Sequence, residues 1–554
     1  MFLREKIEIP NEEGKIVINR NKYVMYEIDR KYDNEKKYNV PIRVSIGKIT
    51  EEGKMIPNSN YIKYFYDSKI SKENRKNERS SCIKIGTYIL IKKIIEEKKL
   101  NEILEKVFGE YAGLIIDLAS FMIVEESNAN QYYEYYAYNH FQFTKEHKIL
   151  SDATISNVLR NITETQKIEF LNMWNSRNDN KDRIYISYDS TNKNCQCGNI
   201  NIAEYGHSKK DESKPIINTS IGYNHNNKEP LFYEEYPGSI VDVAQLQCMI
   251  DKAINYGYRN IGIILDRGYF SKKNLEYIDQ NGYEFVIMAK SSSKFIRKSI
   301  KNVIGTFEND RNNLIIKYNV YGKTNKEDVF EDNNRRYVHV YFNEIRASVE
   351  RKDIEEKILL LDNYYKKFIG TKKDLEEAEK YFEVVRDKKG YIVNILQKNS
   401  EIQKEKEMCG YFAIVTSKKM TAKEAIYLYK SRDESEKLFR MDKTFLGNNS
   451  YRAQSEETIK SKILIGFIAL IIRNTMYTYL DEAKEKGENR ENYMTVPATI
   501  KELEKIEMIK QTNGMYVLDY AVTATQNKIL NVYGINPKTI LDKVKYIGLE
   551  LKNS

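Results

Sequence analysis

Tyr429, Arg432, Glu436 and Lys443 stand at offsets of 0, 3, 7 and 14 within one stretch. On an α-helix turning about 100° per residue, their directions fall within about 60° of one another. One face then carries a phenol, a guanidinium, a carboxylate and an ammonium. A solvated stripe of helix-spaced ion pairs has the same pattern and is common. Two aspartates extend the set. Asp189, in Tyr188-Asp189-Ser190-Thr191, and Asp266, in Leu265-Asp266-Arg267-Gly268-Tyr269-Phe270-Ser271, each stand where a strand pattern stops. If those strands are neighbours, the carboxylates meet at one edge of a sheet. An aspartate at a strand end also commonly caps a turn, so neither points to catalysis alone. The chemistry open to converging carboxylates is the holding of hard cations, which take oxygen ligands.

The elements that must position these residues follow from periodicity. Ile184, Ile186 and Tyr188 alternate as in a strand, and 216–223 and 230–236 are further strands. Asp242 opens an amphipathic helix; Asp242 itself reads as its cap. Residues 260–265 form a short apolar strand, followed by a helix over 271–280 and a strand over 284–288. The order β-β-β-α-β-α-β suits an α/β fold, a mixed sheet flanked by helices. Strand character reappears at 337–342 and 411–416, with a long helix around 355–367 between them. Thr421 is an N-cap with Glu424 at the capping-box position, opening a helix to Phe445. Before the sheet, 91–104 and 112–124 have helical spacing. The segment 151–160 resembles the second helix of a helix-turn-helix presenting Thr154, Asn157 and Arg160, or equally a surface helix in a bundle.

Composition sets outer bounds. The chain has 554 residues, enough for two to four domains, with 41% hydrophobic and 31% charged residues. Its mean hydropathy is clearly negative, as for a soluble protein. A formal charge of +10 permits a polyanionic partner without demanding one. Five scattered cysteines do not read as a disulfide framework, and the N-terminus lacks the apolar stretch of a signal peptide. The longest apolar run, 463–472, is too short to span a bilayer and reads as a buried helix. The expected compartment is a reducing cytoplasm. Cys195 and Cys197 with His207 offer three zinc donors without an evident fourth; plain loop thiols are the commoner reading.

Tyr429, Arg432, Glu436 and Lys443 fit the Y-x2-R-x3-E-x6-K signature of bacterial insertion-sequence DDE transposases of the IS-four type. The segments around Asp189 and Asp266 resemble those holding that family's first two acids. Tyr205-Gly206-His207-Ser208-Lys209-Lys210, Glu229-Pro230-Leu231 and Tyr236-Pro237-Gly238 resemble the IS-sixteen-thirty-four branch. The resemblance covers about 183–475. It implies an RNase H-like core in two parts, 181–296 and 409–475, interrupted by an insertion domain at 297–408. A basic N-terminal module (1–80), a helical DNA-binding region (81–180) and a C-terminal helical region (476–554) complete the expected layout.

The implied activity is cut-and-paste transposition: cleavage at element ends and strand transfer into a target. The implied catalytic residues and metal ligands are Asp189, Asp266 and Glu436, holding two Mg²⁺ (or Mn²⁺) ions about 4 Å apart, with Asp189 bridging both. Arg432 and Lys443 would hold phosphates; Tyr429 would bond a phosphate or stack on an unpaired base; Arg267 would touch DNA or form a salt bridge in the core. The implied partners are double-stranded DNA, as terminal inverted repeats and target, and a second copy of the chain in a synaptic homodimer near the bacterial nucleoid. Some relatives form a DNA hairpin beside a flipped base. The only tryptophan, Trp174, precedes the core, which excludes a Trp wedge from the insertion. Two alternatives remain: a catalytically inactive transposase-derived DNA-binding protein, and an RNase H-like nuclease acting on hybrids or branched DNA.

Overall fold

The strand that begins at Ile184 continues well past its apolar residues. In the computed structural model, β1 runs Ile184–Cys195, so Asp189 lies within a strand and not at its end. Ser190, Thr191, Lys193 and Asn194 are all buried, which is why hydrophobic alternation fails to mark this half. Burial of such groups requires partners; for instance, the Asn194 amide donates to the Asp211 carbonyl at 3.0 Å. The structure describes residues 6–11, 14–20, 22–66, 79–177, 183–196, 200–206, 208, 211–240, 242–291, 293–328, 330, 334–373, 380–487 and 494–553.

Met1–Ser81 and Cys82–Ser554 separate as two units. The first contains an antiparallel sheet of four strands, Ile16–Asn19, Tyr23–Asp33, Tyr38–Ile49 and Met55–Pro57, in that order. Val24, Ile46, Met55 and Phe65 form its core.

The second unit begins with a short strand, Cys82–Lys84, followed by helices. Among them, α1 (Ala112–Glu125) is nearly all apolar, and α2 (Asp152–Asn161) is capped by the Ser151 hydroxyl, which accepts from the Thr154 amide. The expected helix over 91–104 is two helices, Gly86–Glu97 and Leu100–Phe108, separated where Lys99 takes a left-handed conformation. Helix α2 buries Ile155 and Leu159 and exposes Thr154, Asn157 and Arg160.

A ten-stranded mixed sheet follows. After β1 come β2 (Ile216–Asn224), β3 (Glu229–Pro237), β4 (Ile261–Leu265), β5 (Glu284–Met288), β6 (Leu314–Ile315), β7 (Val320–Asp328), β8 (Arg335–Phe342), β9 (Tyr411–Thr416) and β10 (Ser450–Tyr451). The spatial order is β6-β7-β8-β9-β5-β4-β1-β2-β3, with β10 beside the far end of β1. β1, β2 and β3 form an antiparallel meander, whereas β4 runs parallel to β1 and β5 parallel to β4. Helices α3 (Asp242–Asn255) and α4 (Lys272–Gln280) make the crossovers into β4 and β5, as parallel neighbours require.

The stretch 297–408, expected to be a separate insertion, divides in two. β6, β7 and β8 extend the main sheet through β9. The remainder, α5 (Glu344–Lys366), the hairpin Phe382–Arg386/Ile392–Gln397 and the helix Asn399–Glu407, gathers its own small core around Ile358, Tyr365, Phe382 and Ile395.

The apolar run at 463–472 lies inside a helix of 31 residues, Glu456–Lys486. That helix and the apolar stretch Leu100–Glu125 are long enough to cross a membrane, yet most of each is buried in the protein. The long helix packs against α1, α2 and β3, so its apolar surface is covered by other parts of the chain.

Buried histidine gives the sheet a pH dependence. His339, on β8, has no exposed surface and is held between the Thr324 hydroxyl at Nδ1 (2.8 Å) and the Thr416 hydroxyl at Nε2 (3.0 Å). Burial pushes its pKa down from 6.5 to about 4. Between those values the unfolded chain binds the proton that the folded chain refuses, so stability falls as pH drops through that window. The slope from one such group is ~1 kcal/mol per pH unit. His339→Gln is expected to show a smaller fall in thermal midpoint between pH 7 and pH 4 than the parent protein; identical pH profiles would refute this role.

Candidate active site

Pairing between β1 and β4 sets two of the acids side by side. Ser187 pairs with Ile264 in parallel register, and two residues further along each chain stand Asp189 and Asp266. Parallel neighbours lie about 4.8 Å apart, so Asp266 leaves β4 next to Asp189. Asp266 caps the 3-10 turn Arg267–Tyr269, its carboxylate accepting from the Arg267 amide at 2.7 Å. The Asp189 carboxylate likewise accepts from the Ser190 amide at 2.8 Å.

The third acid arrives from a helix broken in two. α6 (Ala422–Lys430) starts with the expected capping box of Thr421 and Glu424. It stops at Ser431, and α7 (Asp433–Arg440) begins after Arg432. A π-helical turn, Met441–Phe445, then carries Lys443. Of the helix face expected for Tyr429, Arg432, Glu436 and Lys443, the first three residues still meet: Arg432 and Glu436 pair as i, i+4 neighbours and the Arg432 guanidinium lies over the Tyr429 ring. Lys443 falls on the π turn, across which a constant rotation of about 100° per residue does not hold.

The first three of these residues meet the aspartates. Arg432 Nη1 donates to Asp189 Oδ2 at 3.2 Å, and Nη2 to Glu436 Oε1 at 2.5 Å. The Tyr429 hydroxyl donates to Asp266 Oδ1 at 3.4 Å, and the Arg432 guanidinium lies 5.8 Å from the Tyr429 ring centre. The Arg432 side chain is only 8% exposed, against 22% for Asp189 and 58% for Glu436. Burial opposes the charge on Arg432, but Tyr429, Asp266, Asp189 and Glu436 together hold its pKa above the ordinary arginine value. Burial of Tyr429 pushes its pKa well up, so it is a neutral donor. Its ring sits in an apolar cluster with Ile264, Val286 and Ile426, which leaves no open ring face for a base to stack on. Lys443 is half-buried, and Arg267 is exposed beside Asp266.

Among the described residues, no three His, Cys, Asp or Glu side chains are gathered closely enough to hold a metal ion as they stand. The donor set is nevertheless all carboxylate, the chemistry that hard cations select, and the group between the carboxylates is Arg432. Cys195 is buried at the end of β1; Cys197 and His207 lie outside the described residues.

Two anchors of the Glu436 helix carry no motif. Lys193 and Asp442 form an ion pair at 2.5 Å with both side chains buried. The Tyr451 hydroxyl accepts from Lys193 at 3.0 Å, and the Asn448 amide donates to Asp442 at 2.7 Å. Ser187 and Ser435 share a further hydrogen bond. Strand β1 thus grips the helix on both sides of Glu436. A lysine and an aspartate that fall at buried positions were the available signal, visible only once the strand is known to reach Cys195.

No curated protein matches the chain. Among solved structures, a piggyBac transposase synaptic complex with hairpin DNA is similar at 11% identity and a TM-score of 0.33, covering 70% of this chain. The present chain spans 62% of that one. The family model described as a transposase DDE domain matches residues 188–472, just over half of the sequence, and includes all three acids. The chain belongs to the family of transposases with a DDE domain.

Proposed function

We propose that this protein is an active DNA transposase of the IS-four type, with Asp189, Asp266 and Glu436 forming one metal-dependent phosphoryl-transfer centre. The observation that carries this reading is the joining of acids from three distant stretches by two residues: Arg432 contacts Asp189 and Glu436, and Tyr429 contacts Asp266. The strand order β5-β4-β1-β2-β3, with an antiparallel meander and two parallel additions, supports an RNase H-like core.

In this reading the three carboxylates hold two Mg²⁺ (or Mn²⁺) ions. When bound, such ions activate the attacking oxygen and stabilise charge on the leaving oxygen. Tyr429 keeps Asp266 turned inward. Arg432, Lys443 and Arg267 supply cationic groups for backbone phosphates, which position DNA without reading its sequence. The same centre serves water during end cleavage and a DNA 3′-hydroxyl during transfer, because only the nucleophile differs. Joining two ends implies a homodimer on the terminal inverted repeats and target, with helix α2 offering Asn157 and Arg160 to DNA.

The experiment uses duplexes of the DNA flanking the reading frame, with Mg²⁺, Mn²⁺ or EDTA. Nicks at the repeat ends, followed by products joined to a target plasmid, are expected with either metal and absent with EDTA. Specific end binding without metal-dependent cleavage would replace this reading with that of an inactive DNA-binding relic.

A further inference from the structure

We propose that Arg432 is a built-in competitor for the cations: in the resting protein its guanidinium occupies the space among the carboxylates, and it must be drawn off before the centre loads. The inference rests on Asp189, Asp266 and Glu436 being the metal ligands. Two terminal nitrogens of one side chain each engage a different carboxylate. An oxygen held by a guanidinium and also by a divalent ion places two positive charges a few ångströms apart beside a side chain that is itself buried, where repulsion is less screened than in open water. Arginine and metal therefore exclude one another from the same oxygens.

A second observation points to a ligand that would draw Arg432 away. The side chain is more than nine-tenths buried, yet Nε is a buried donor with no hydrogen-bond partner. A buried donor without an acceptor is unfavourable and calls for an explanation. A phosphate oxygen is the natural acceptor, because a guanidinium binds phosphate through two parallel N–H groups. Arg432 also stands at the junction between α6 and α7. Transfer of Arg432 from carboxylates to a DNA phosphate would free the ligands at the moment substrate arrives. Cation and DNA binding then reinforce each other, and the coupling is reciprocal. Lysine cannot substitute, since a single ammonium lacks the planar fork that spans two carboxylates.

The test is Mn²⁺ binding to the full chain without DNA, followed by loss of the free-ion signal in electron paramagnetic resonance. Arg432→Gln is expected to bind Mn²⁺ about tenfold more tightly than the parent, since the competing occupant is gone. Adding Asp189→Asn to that variant is expected to remove the gain. Arg432→Lys, which keeps a charge but not the fork, provides a second variant and is expected to fall between the two. Equal or weaker binding by both Arg432 variants overturns the inference while leaving the metal site intact. Binding by none of the proteins overturns the metal-site reading and the inference with it.

Discussion

Asp189→Asn is expected to lower metal-dependent DNA cleavage by about three orders of magnitude while leaving the fold unchanged. A metal-held transition state is stabilised by several kcal/mol, and each ~1.4 kcal/mol corresponds to tenfold in rate. Asparagine has nearly the shape of aspartate and retains an oxygen for the Ser190 amide, which donates to Asp189 at 2.8 Å. The residue lies within a strand paired to β2 on one side, so the sheet does not depend on its charge. What disappears is an anionic oxygen at the point where β1 and β4 run side by side. The measurement is single-turnover cleavage of an end duplex, alongside thermal unfolding and end binding. Cleavage within tenfold of the parent, in protein of unchanged stability, would remove Asp189 from the reacting centre.

The largest effect on stability is expected at Lys193. Its side chain is 4% exposed and that of Asp442 6%. Burial disfavours the ammonium, but Asp442 and Tyr451 hold its pKa above the ordinary lysine value. Lys193→Met therefore strands a carboxylate in the interior, at a cost of about 3–5 kcal/mol. Replacing both members by apolar residues of similar size is often neutral. Lys193→Met with Asp442→Leu is accordingly expected to be markedly more stable than Lys193→Met alone. Thermal unfolding of the two single variants and the double variant forms a cycle that isolates the pair. Additive effects in that cycle would show that the contact contributes nothing. Because Asp442 follows Glu436 by six residues, the single variant is also expected to lose cleavage through displacement of the Glu436 helix.

These two predictions draw on different kinds of information. Glu436 stands out through the local spacing of its motif, and Asp189 and Asp266 through the resemblance of their short flanking segments to that family's. The Thr421–Glu424 capping box and the strand over 411–416 are equally local: each depends on neighbours a few residues away, and both occur where spacing places them. Lys193 offered no such sign. A lysine inside a run of Ser, Thr and Asn resembles a loop, and only the Asp442 carboxylate, far along the chain, makes its burial favourable.

Local order was thus written in the chain: the β-β-β-α-β-α-β succession and the Thr421–Glu424 cap follow from periodicity and residue type, whereas the three acids were singled out by their resemblance to a family motif. Three further features emerged only with long-range pairing. The register of β1 on β4 brings Asp266 beside Asp189; β1 sets Asp189 against the Arg432 guanidinium, which pairs with Glu436 as an i, i+4 neighbour; and β6, β7 and β8 join the main sheet through β9. Strand partners and buried ion pairs are chosen by surfaces far apart in the sequence. Their energies exist only when both halves are present, so no window of neighbouring residues contains them.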